Sequence, residues 1–375
     1  MRTVISSLFV ISLFLPVFSS LQADDTVKVA AIFAETGKGA STGKMFFDTS
    51  RFAIDEINRA GGLLGKKIEL TELDNQSKPI GSKIAAQKAV QAGVIAVIGA
   101  SWSSNSLAAA PVLQAARIPM ISPSSTNPDV TLVGDYIFRV CFLDSFQGTV
   151  MADYAFKDMK AETSAVLINA DSRYSAELAD VFIKRFSGLG GKILFKDNYL
   201  QDSANFSSLL ENVKKNQPDV IFVPSYPRDS AFIIRQARKM GLKTTFIGGD
   251  GWSSRMYEYA REDIRGNYYS ASWHRDIKGE ANQAFLENYE KKYGLLTRAA
   301  APLTYDAFML LADAVNRANT LDRSKIREAL ASTKNFQGAT GNIRMNQNGD
   351  PVKSVVILKL DKGTSIFVKT FVPEN

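Results

Sequence analysis

Residues Val94 to Asp129 read VIAVIGASWSSNSLAAAPVLQAARIPMISPSSTNPD. The apolar run Val94 to Ile98 has the character of a buried parallel strand, and it empties into Gly99 and small hydroxyl residues ahead of an Ala-rich helix. Ser103 and Ser104 stand where an N-cap belongs. That helix start therefore offers unpaired backbone N–H groups, the positive end of the dipole and side-chain hydroxyls to a single carboxylate. A second strand, Ile118 to Ile121, delivers Ser122, Pro123, Ser124, Ser125 and Thr126 into a neighbouring loop stiffened by Pro123 and Pro128. Two hydroxyl-rich loops at adjacent strand ends bracket a small zwitterion; the plainer alternative is a pair of ordinary caps and turns.

On both sides of this stretch, short apolar runs alternate with amphipathic segments, which predicts α/β architecture with parallel sheets covered on both faces. Strand Val27 to Ala34 leads through Glu35 to Thr42 into a helix carrying Met45, Phe52, Ile54 and Ile57, closed by Gly61 and Gly62. Strand Lys67 to Leu73 follows, then a helix with Pro79 just inside its start. A further strand covers Tyr136 to Val140. Around Asp144 to Phe146 the rhythm restarts, marking the crossing into a second lobe with strands Ala165 to Asn169, Lys192 to Phe195, Asp219 to Val223, Thr245 to Ile247 and Asn267 to Trp273. Helices at Glu280 to Tyr293, Ala300 to Ala318 and Arg323 to Ala331 return to the first lobe, Gly338 to Met345 adds a strand, and Ser354 to Phe371 closes as a hairpin. The expected architecture is two Rossmann-like lobes, residues 24–144 with 274–353 and residues 145–273 with 354–375, joined by a three-strand hinge.

Composition removes much chemistry. The chain has 375 residues, more than one core usually serves, and carries one Cys and one His. Cys141 alone forbids an internal disulfide, and the pair cannot assemble a multi-His or Cys-cluster metal site. A Ser-His-Asp triad would have to use His274, and no G-x-S-x-G elbow accompanies it. Neither an enzyme nor a cofactor is expected. Gly37, Gly39 and Gly43 are spaced G-x-G-x-x-x-G without a placed acidic residue for a ribose, so they read as a flexible ligand loop. The net charge of +7 is spread along the chain, which gives no footing to a nucleic-acid partner. Met1 to Ala23 has the form of a cleaved secretory leader, Arg2 before an apolar run, and implies a periplasmic protein.

Six polar clusters each stand where an apolar run ends: Glu35 to Thr42, Ser101 to Ser104, Ser122 to Thr126, Asp171 to Tyr174, Ser225 with Tyr226, and Gly248 to Trp252. Ligands of open parallel sheets bind beyond the carboxyl ends of strands, so these loops are expected to face one crevice.

Several motifs in order carry a resemblance: VKVAAIFAETGKGASTGK, FAIDEINRAGGLLGKKIEL, VIAVIGASWSSNS, IPMISPSSTNP, RQARKMGLKTTFIGGDGW, LTYDAFMLLADAV and GNIRMNQNGDP. The chain resembles the leucine/isoleucine/valine-binding protein family of type I periplasmic binding proteins, receptors that deliver solutes to ABC permeases in the inner membrane. The resemblance implies that Ser103 holds a ligand carboxylate, that Thr126 touches the same head group, and that the Ser124 carbonyl accepts from an α-ammonium. It further implies that Tyr174 and Tyr226 line the cleft and that Asp250 supplies the ammonium's counter-charge. Three positions depart from the family pattern. Trp102 replaces a Cys, Thr42 stands where an aromatic residue lines the side-chain pocket, and Asp250 replaces a longer Glu. The expected ligand is an amino acid, branched-chain or otherwise aliphatic. Alternatives are a related amide, polyol or aromatic acid, or a role as sensing partner of a chemoreceptor or sensor kinase.

Overall fold

In Thr26–Phe33 (β1), Val29, Ala31 and Phe33 face one core while Ala30 and Ile32 face another. Burial on both faces is what an uninterrupted apolar strand requires. The computed structural model describes residues 26–373, Thr297 excepted; the leader read over Met1 to Ala23 lies outside the described residues. The first unit continues through Ala40–Arg59 (α1), Lys67–Asp74 (β2), Pro79–Gln91 (α2), Ala96–Gly99 (β3), Ser103–Ala115 (α3), Met120–Ser122 (β4) and Ile137–Arg139 (β5). The second comprises Asp144–Asp153 (α4), Thr163–Asn169 (β6), Arg173–Gly188 (α5), Lys192–Tyr199 (β7), Ser207–Asn216 (α6), Val220–Phe222 (β8), Pro227–Lys239 (α7), Thr245–Gly248 (β9), Met256–Ala260 (α8) and Tyr268–Ala271 (β10). Glu280–Tyr293 (α9), Ala300–Ala318 (α10), Arg323–Ala331 (α11), Phe336–Gly338 (β11) and Gly341–Ile343 (β12) precede the hairpin Val355–Asp361 (β13) and Thr364–Phe371 (β14).

The strands form two α/β lobes. One sheet is parallel throughout, in the order β2-β1-β3-β4-β5. The other runs β14-β13-β10-β9-β8-β6-β7, and only β13 and β14 are antiparallel to their neighbours. Strand order reverses between β1 and β3 in the first sheet and between β6 and β8 in the second, so each lobe opens a crevice at those strand ends. The chain passes between the sheets at residues 140–143, 272–279 and 344–354.

Packing fixes the elements that carry the site. Phe46 of α1 stacks on Phe33 of β1 with ring centroids 4.6 Å apart and planes 10° apart, a pairing worth about 0.5 to 1.5 kcal/mol beyond its buried area. The glycines around the start of α1 meet two needs: Gly37 takes a φ of +81°, which favours glycine, whereas Gly43, in the first turn of the helix, is there for fit. A Cβ on Gly43 would lie 1.7 Å from the Ala34 carbonyl oxygen, and the Gly39 N–H is held by the Ser77 hydroxyl at 2.9 Å. The loop read as flexible is thus clamped from both sides.

Two other readings shift for local reasons. The strand expected over Ile118 to Ile121 forms at Met120–Ser122, because the Ile118 N–H is still bonded to the Leu113 carbonyl at the end of α3. The single strand expected at Gly338 to Met345 is instead the pair β11 and β12. Buried Asp306 of α10 captures the Ala339 and Thr340 N–H groups at 2.6 and 2.9 Å and forces the turn between them.

Candidate functional site

The α3 start differs from the expected cap. Trp102 occupies the N-cap position in extended backbone with no side-chain cap, and Ser103 and Ser104 are the first two helical residues. Their N–H groups have no acceptor within the helix and sit at the positive end of its dipole. The Ser103 hydroxyl accepts from the Asn127 N–H at 3.3 Å, which ties α3 to the loop after β4.

The serines of the two loops divide into two jobs. Ser106, Ser122 and Ser125 all donate to the Ala100 carbonyl, at 3.1, 2.7 and 3.2 Å, and are buried structural ties. Ser101, Ser103 and Ser124 line a cavity of about 150 Å³ between the lobes. The loop of Ser124 is fixed from behind by Arg139, whose guanidinium donates to the Ser125 carbonyl, to the Asn127 carbonyl at 2.9 Å and to Asp350 at 2.7 Å.

The facing wall comes from the second lobe. Trp102 stacks on Tyr226 at 4.7 Å between ring centroids, and Tyr226 on Tyr174 at 5.7 Å, so one aromatic column crosses from lobe to lobe. The Tyr174 hydroxyl accepts from the Gly251 N–H at 3.0 Å. Only glycine fits on either side of Asp250: a Cβ on Gly249 would lie 2.4 Å from the Tyr174 hydroxyl, and one on Gly251 would lie 2.5 Å from the Ser225 carbonyl oxygen. The GGDG turn is thereby pressed against the tyrosines, with Asp250 on the cavity wall.

Behind Asp250 lies a carboxyl pair bridged by one amide. Gln147 donates to Asp144 at 2.6 Å and to Asp250 at 3.1 Å, and it accepts from the Asp250 N–H at 3.2 Å and the Ser270 hydroxyl at 2.9 Å. Burial pushes the Asp250 carboxyl up to about 6, against the opposing hydrogen bonds of Gln147 and Tyr174. Burial, reinforced by the neighbouring charge of Asp250, drives Asp144 well above the usual carboxylate range. The charge of the pair therefore resides on Asp250, the member that faces the cavity.

Further along the wall, Thr42 of α1 accepts a hydrogen bond from Arg255 of the second lobe at 3.2 Å. Leu296, Arg298, Ala299 and Leu303 continue that side. At the rim, the Arg173 backbone and side chain meet Ser104, Asn127 and Asp129 across the cleft, so the lobes touch on both sides of the cavity.

The sequence matches the periplasmic binding protein family over residues 26–365. The chain belongs to that family. As a periplasmic binding protein it is 28% identical over 333 residues to the leucine-, isoleucine-, valine-, threonine-, and alanine-binding protein of Pseudomonas aeruginosa, with 88% of each chain covered. A leucine binding protein of known structure from Thermotoga maritima aligns with a TM-score of 0.89 at 34% identity, covering 92% of this chain and 99% of that one. The branched-chain amino acid transporter substrate binding protein of Streptococcus pneumoniae, in complex with isoleucine, gives 0.87 at 30% identity, covering 93% and 100%.

Of the positions singled out from sequence, Thr42, Trp102, Ser103, Ser124, Tyr174, Tyr226 and Asp250 meet at this cavity. Thr126 does not. It is buried behind the wall, where its carbonyl accepts the Asp144 N–H at 2.9 Å. His274 follows β10 at the far end of the cavity, its Nε2 3.3 Å from the Ser365 carbonyl oxygen. Cys141 is fully buried, and desolvation pushes its thiol up to about 12. Sequence reasoning missed Asp144, Gln147, Arg255 and Arg298. The spacing of Asp144 and Gln147 at the start of a helix was the one available sign of a polar pair on a common face.

Proposed function

We propose that this protein is the extracytoplasmic solute receptor of an ABC importer and that it encloses an α-amino acid between its lobes. The observation that carries the reading is the opposition of polarities across one small cavity. Hydroxyls and helix-start amides come from one lobe, and an ionised carboxyl with two phenols comes from the other. An amino-acid carboxylate takes the Ser103 side, with the Ser103 and Ser104 N–H groups as donors, and the ammonium takes the Asp250 side, with the Ser124 carbonyl as a second acceptor. Charge-assisted bonds of this kind contribute about 1.5 to 3 kcal/mol each. Thr126 acts through Asp144, and Tyr174, Tyr226 and Trp102 form the floor on which the Cα region rests. The cavity volume matches the roughly 150 Å³ that takes a benzene-sized guest, so the ligand is a single small molecule.

The lobes are taken as residues 24–144 with 274–353 and residues 145–273 with 354–375, moving about the three crossings as a hinge, so that the closed form is the one presented to the permease. Family membership and the leader read at Met1 to Ala23 support a periplasmic location; among the described residues no helix is long and apolar enough to cross a membrane. Binding without turnover is the activity of this reading. Titration calorimetry against an amino-acid panel beginning with leucine, isoleucine and valine, the ligands named for the relatives, tests it. Heat on addition of at least one α-amino acid is expected, and silence across the panel would remove the amino-acid reading.

The affinity is expected to depend on pH in one direction. In the free protein the Asp250 carboxyl titrates at about 6. Below that value it must give up a proton before it can pair with an ammonium, so binding weakens as pH falls, approaching tenfold per unit. Affinities measured between pH 4.5 and 8 check this; a flat profile would show that no titrating carboxyl meets the ligand.

A further inference from the structure

A second cavity, of about 730 Å³, opens where the chain crosses between the lobes. Lys278 and Arg344 come to its wall from two of the crossings, Lys334 and Asn342 from the first lobe, and Val356 of β13 with Phe367 of β14 from the second. Lys353 stands on the same wall and is only 5% exposed. The volume falls inside the range of roughly 300 to 1,000 Å³ usual for small-molecule sites. Ser272 borders both this cavity and the one that holds Ser103 and Asp250.

The charges on this wall are almost all of one sign. The side chains of Lys278, Lys334 and Arg344 carry no hydrogen bond or ion pair among the described residues. Lys353 makes one hydrogen bond, to the Thr340 hydroxyl, although an ammonium has three hydrogens to give. Asp306 is already taken by the Ala339 and Thr340 N–H groups and by the Thr340 hydroxyl. Burial accordingly draws the Lys353 ammonium down to about 8, and the charge of Asp306 opposes this only in part. Asp276 is the one carboxyl that lines the cavity among the described residues, and it is exposed and lies 3.3 Å from His274 Nδ1. Four cations against one acid on a concave wall focus a positive field on the space they enclose. A buried ammonium short of partners is costly, and an anion entering the cavity removes that cost.

The rest of the wall is apolar. Phe367 and Val372 line it while still exposed, so their apolar surface is not spent inside the protein. We propose that this cavity is a second ligand site, for a small molecule that joins an apolar body to a dianionic group, a phosphate monoester being the simplest, and that its occupation favours the arrangement in which the lobes touch. The dianion meets Lys353 with Lys278 and Arg344, and the body lies along Val356 and Phe367. Only a group that enters the cavity reaches Lys353, which favours a small molecule over a flat partner surface. Because the walls belong to both lobes and to two crossings, a ligand fitted to them holds that arrangement and by linkage raises the affinity for a solute enclosed between the lobes. This last consequence rests on the amino-acid reading given above; the site itself does not.

The probe is 1-naphthyl phosphate, titrated by calorimetry into the purified full chain in phosphate-free buffer at low ionic strength, beside inorganic phosphate and 1-naphthol. One equivalent of the aryl phosphate is expected to bind, at least tenfold more tightly than either half alone. In the double variant Lys278→Gln with Arg344→Gln, two exposed side chains that do not line the amino-acid cavity, its affinity is expected to fall at least tenfold. No binding of the aryl phosphate, or binding unmoved in that variant, overturns the site. So does adherence of the chain to phosphatidylglycerol vesicles with the aryl phosphate silent, which gives this face to a membrane. Binding only after truncation at Pro373 likewise overturns it, by making Glu374 and Asn375 the occupants. With the aryl phosphate saturating, the amino acid identified by the panel is expected to bind at least threefold more tightly, and an affinity unchanged or lowered overturns the coupling. Silence of the whole panel overturns the amino-acid reading, while the aryl phosphate titrations still decide the site.

Discussion

Asp250→Asn is expected to weaken an α-amino acid by about 2 to 5 kcal/mol, the range for removing one member of a buried, hydrogen-bonded charge pair. The size follows from where the charge sits. Asp144, the other carboxyl of the pair, is held neutral by burial and by its neighbour, so Asp250 is the acidic group of this pair left to oppose an ammonium. Asparagine keeps an oxygen for Gln147, 3.1 Å away in the present arrangement, and so preserves the turn while deleting the charge. The effect on the empty protein has the opposite sign. A carboxyl raised from 3.8 in the unfolded chain to about 6 in the fold binds its proton more tightly when folded. Ionisation of Asp250 therefore costs stability as pH rises through the interval between those values, and the cost is fully present above 6. At pH 8 the ligand-free Asp250→Asn variant is expected to melt at the same temperature as the parent or higher, while calorimetry records the loss of affinity. An unchanged affinity would take Asp250 out of the site.

How far such a site can be read in advance depends on the range of the interaction. Parallel strands covered on both faces are apolar runs with abrupt polar ends, so Ser103, Ser124, Tyr174, Tyr226 and Asp250 could be picked out as loop residues of one crevice before any coordinates. Helices with a clean apolar face and a visible stop, such as α9, α10 and α11, could be read to their ends. α4 could not, because the first half of its buried face carries Asp144, Gln147 and Gly148, with the apolar Val150, Met151 and Ala152 coming only after them, and the segment looked like a crossing. α6 offers only Leu210 and Val213 as fully buried side chains, too weak a period to stand out. Side-chain hydroxyls were legible as a cluster but not by role, since Ser122, Ser125 and Ser106 differ from Ser124 only in the carbonyl they reach. The partners of Asp250 and Arg139 lie 103 and 211 residues away in sequence.

Asp350→Ala is expected to destabilise the first lobe by about 3 to 5 kcal/mol, because it strands a cation inside the protein. The side chains of Arg139 and Asp350 are 0% and 5% exposed, and their 2.7 Å contact is supported by Thr131, which donates to Asp350 at 2.7 Å and accepts from Arg139 at 2.8 Å. Water cannot replace the lost carboxylate at such a depth. What remains for the guanidinium is a set of backbone carbonyls at Ser125 and Asn127, dipoles that satisfy its hydrogens but not its charge. Those carbonyls belong to the loop that places Ser124 on the cavity wall, so relaxation of Arg139 reaches the ligand as well, and affinity is expected to fall along with stability. Urea unfolding followed by a probe in the first lobe measures the first effect, since two lobes need not unfold in one step. The variant Arg139→Met with Asp350→Leu separates charge from shape: removing both partners is expected to recover much of the stability lost in Asp350→Ala, while leaving the Ser124 loop without its anchor and the ligand weakly held. A loss below about 1 kcal/mol in Asp350→Ala would mean that the carbonyl cage alone carries the charge, and that the turn at Gly349 and Asp350 serves the fold without supporting the site.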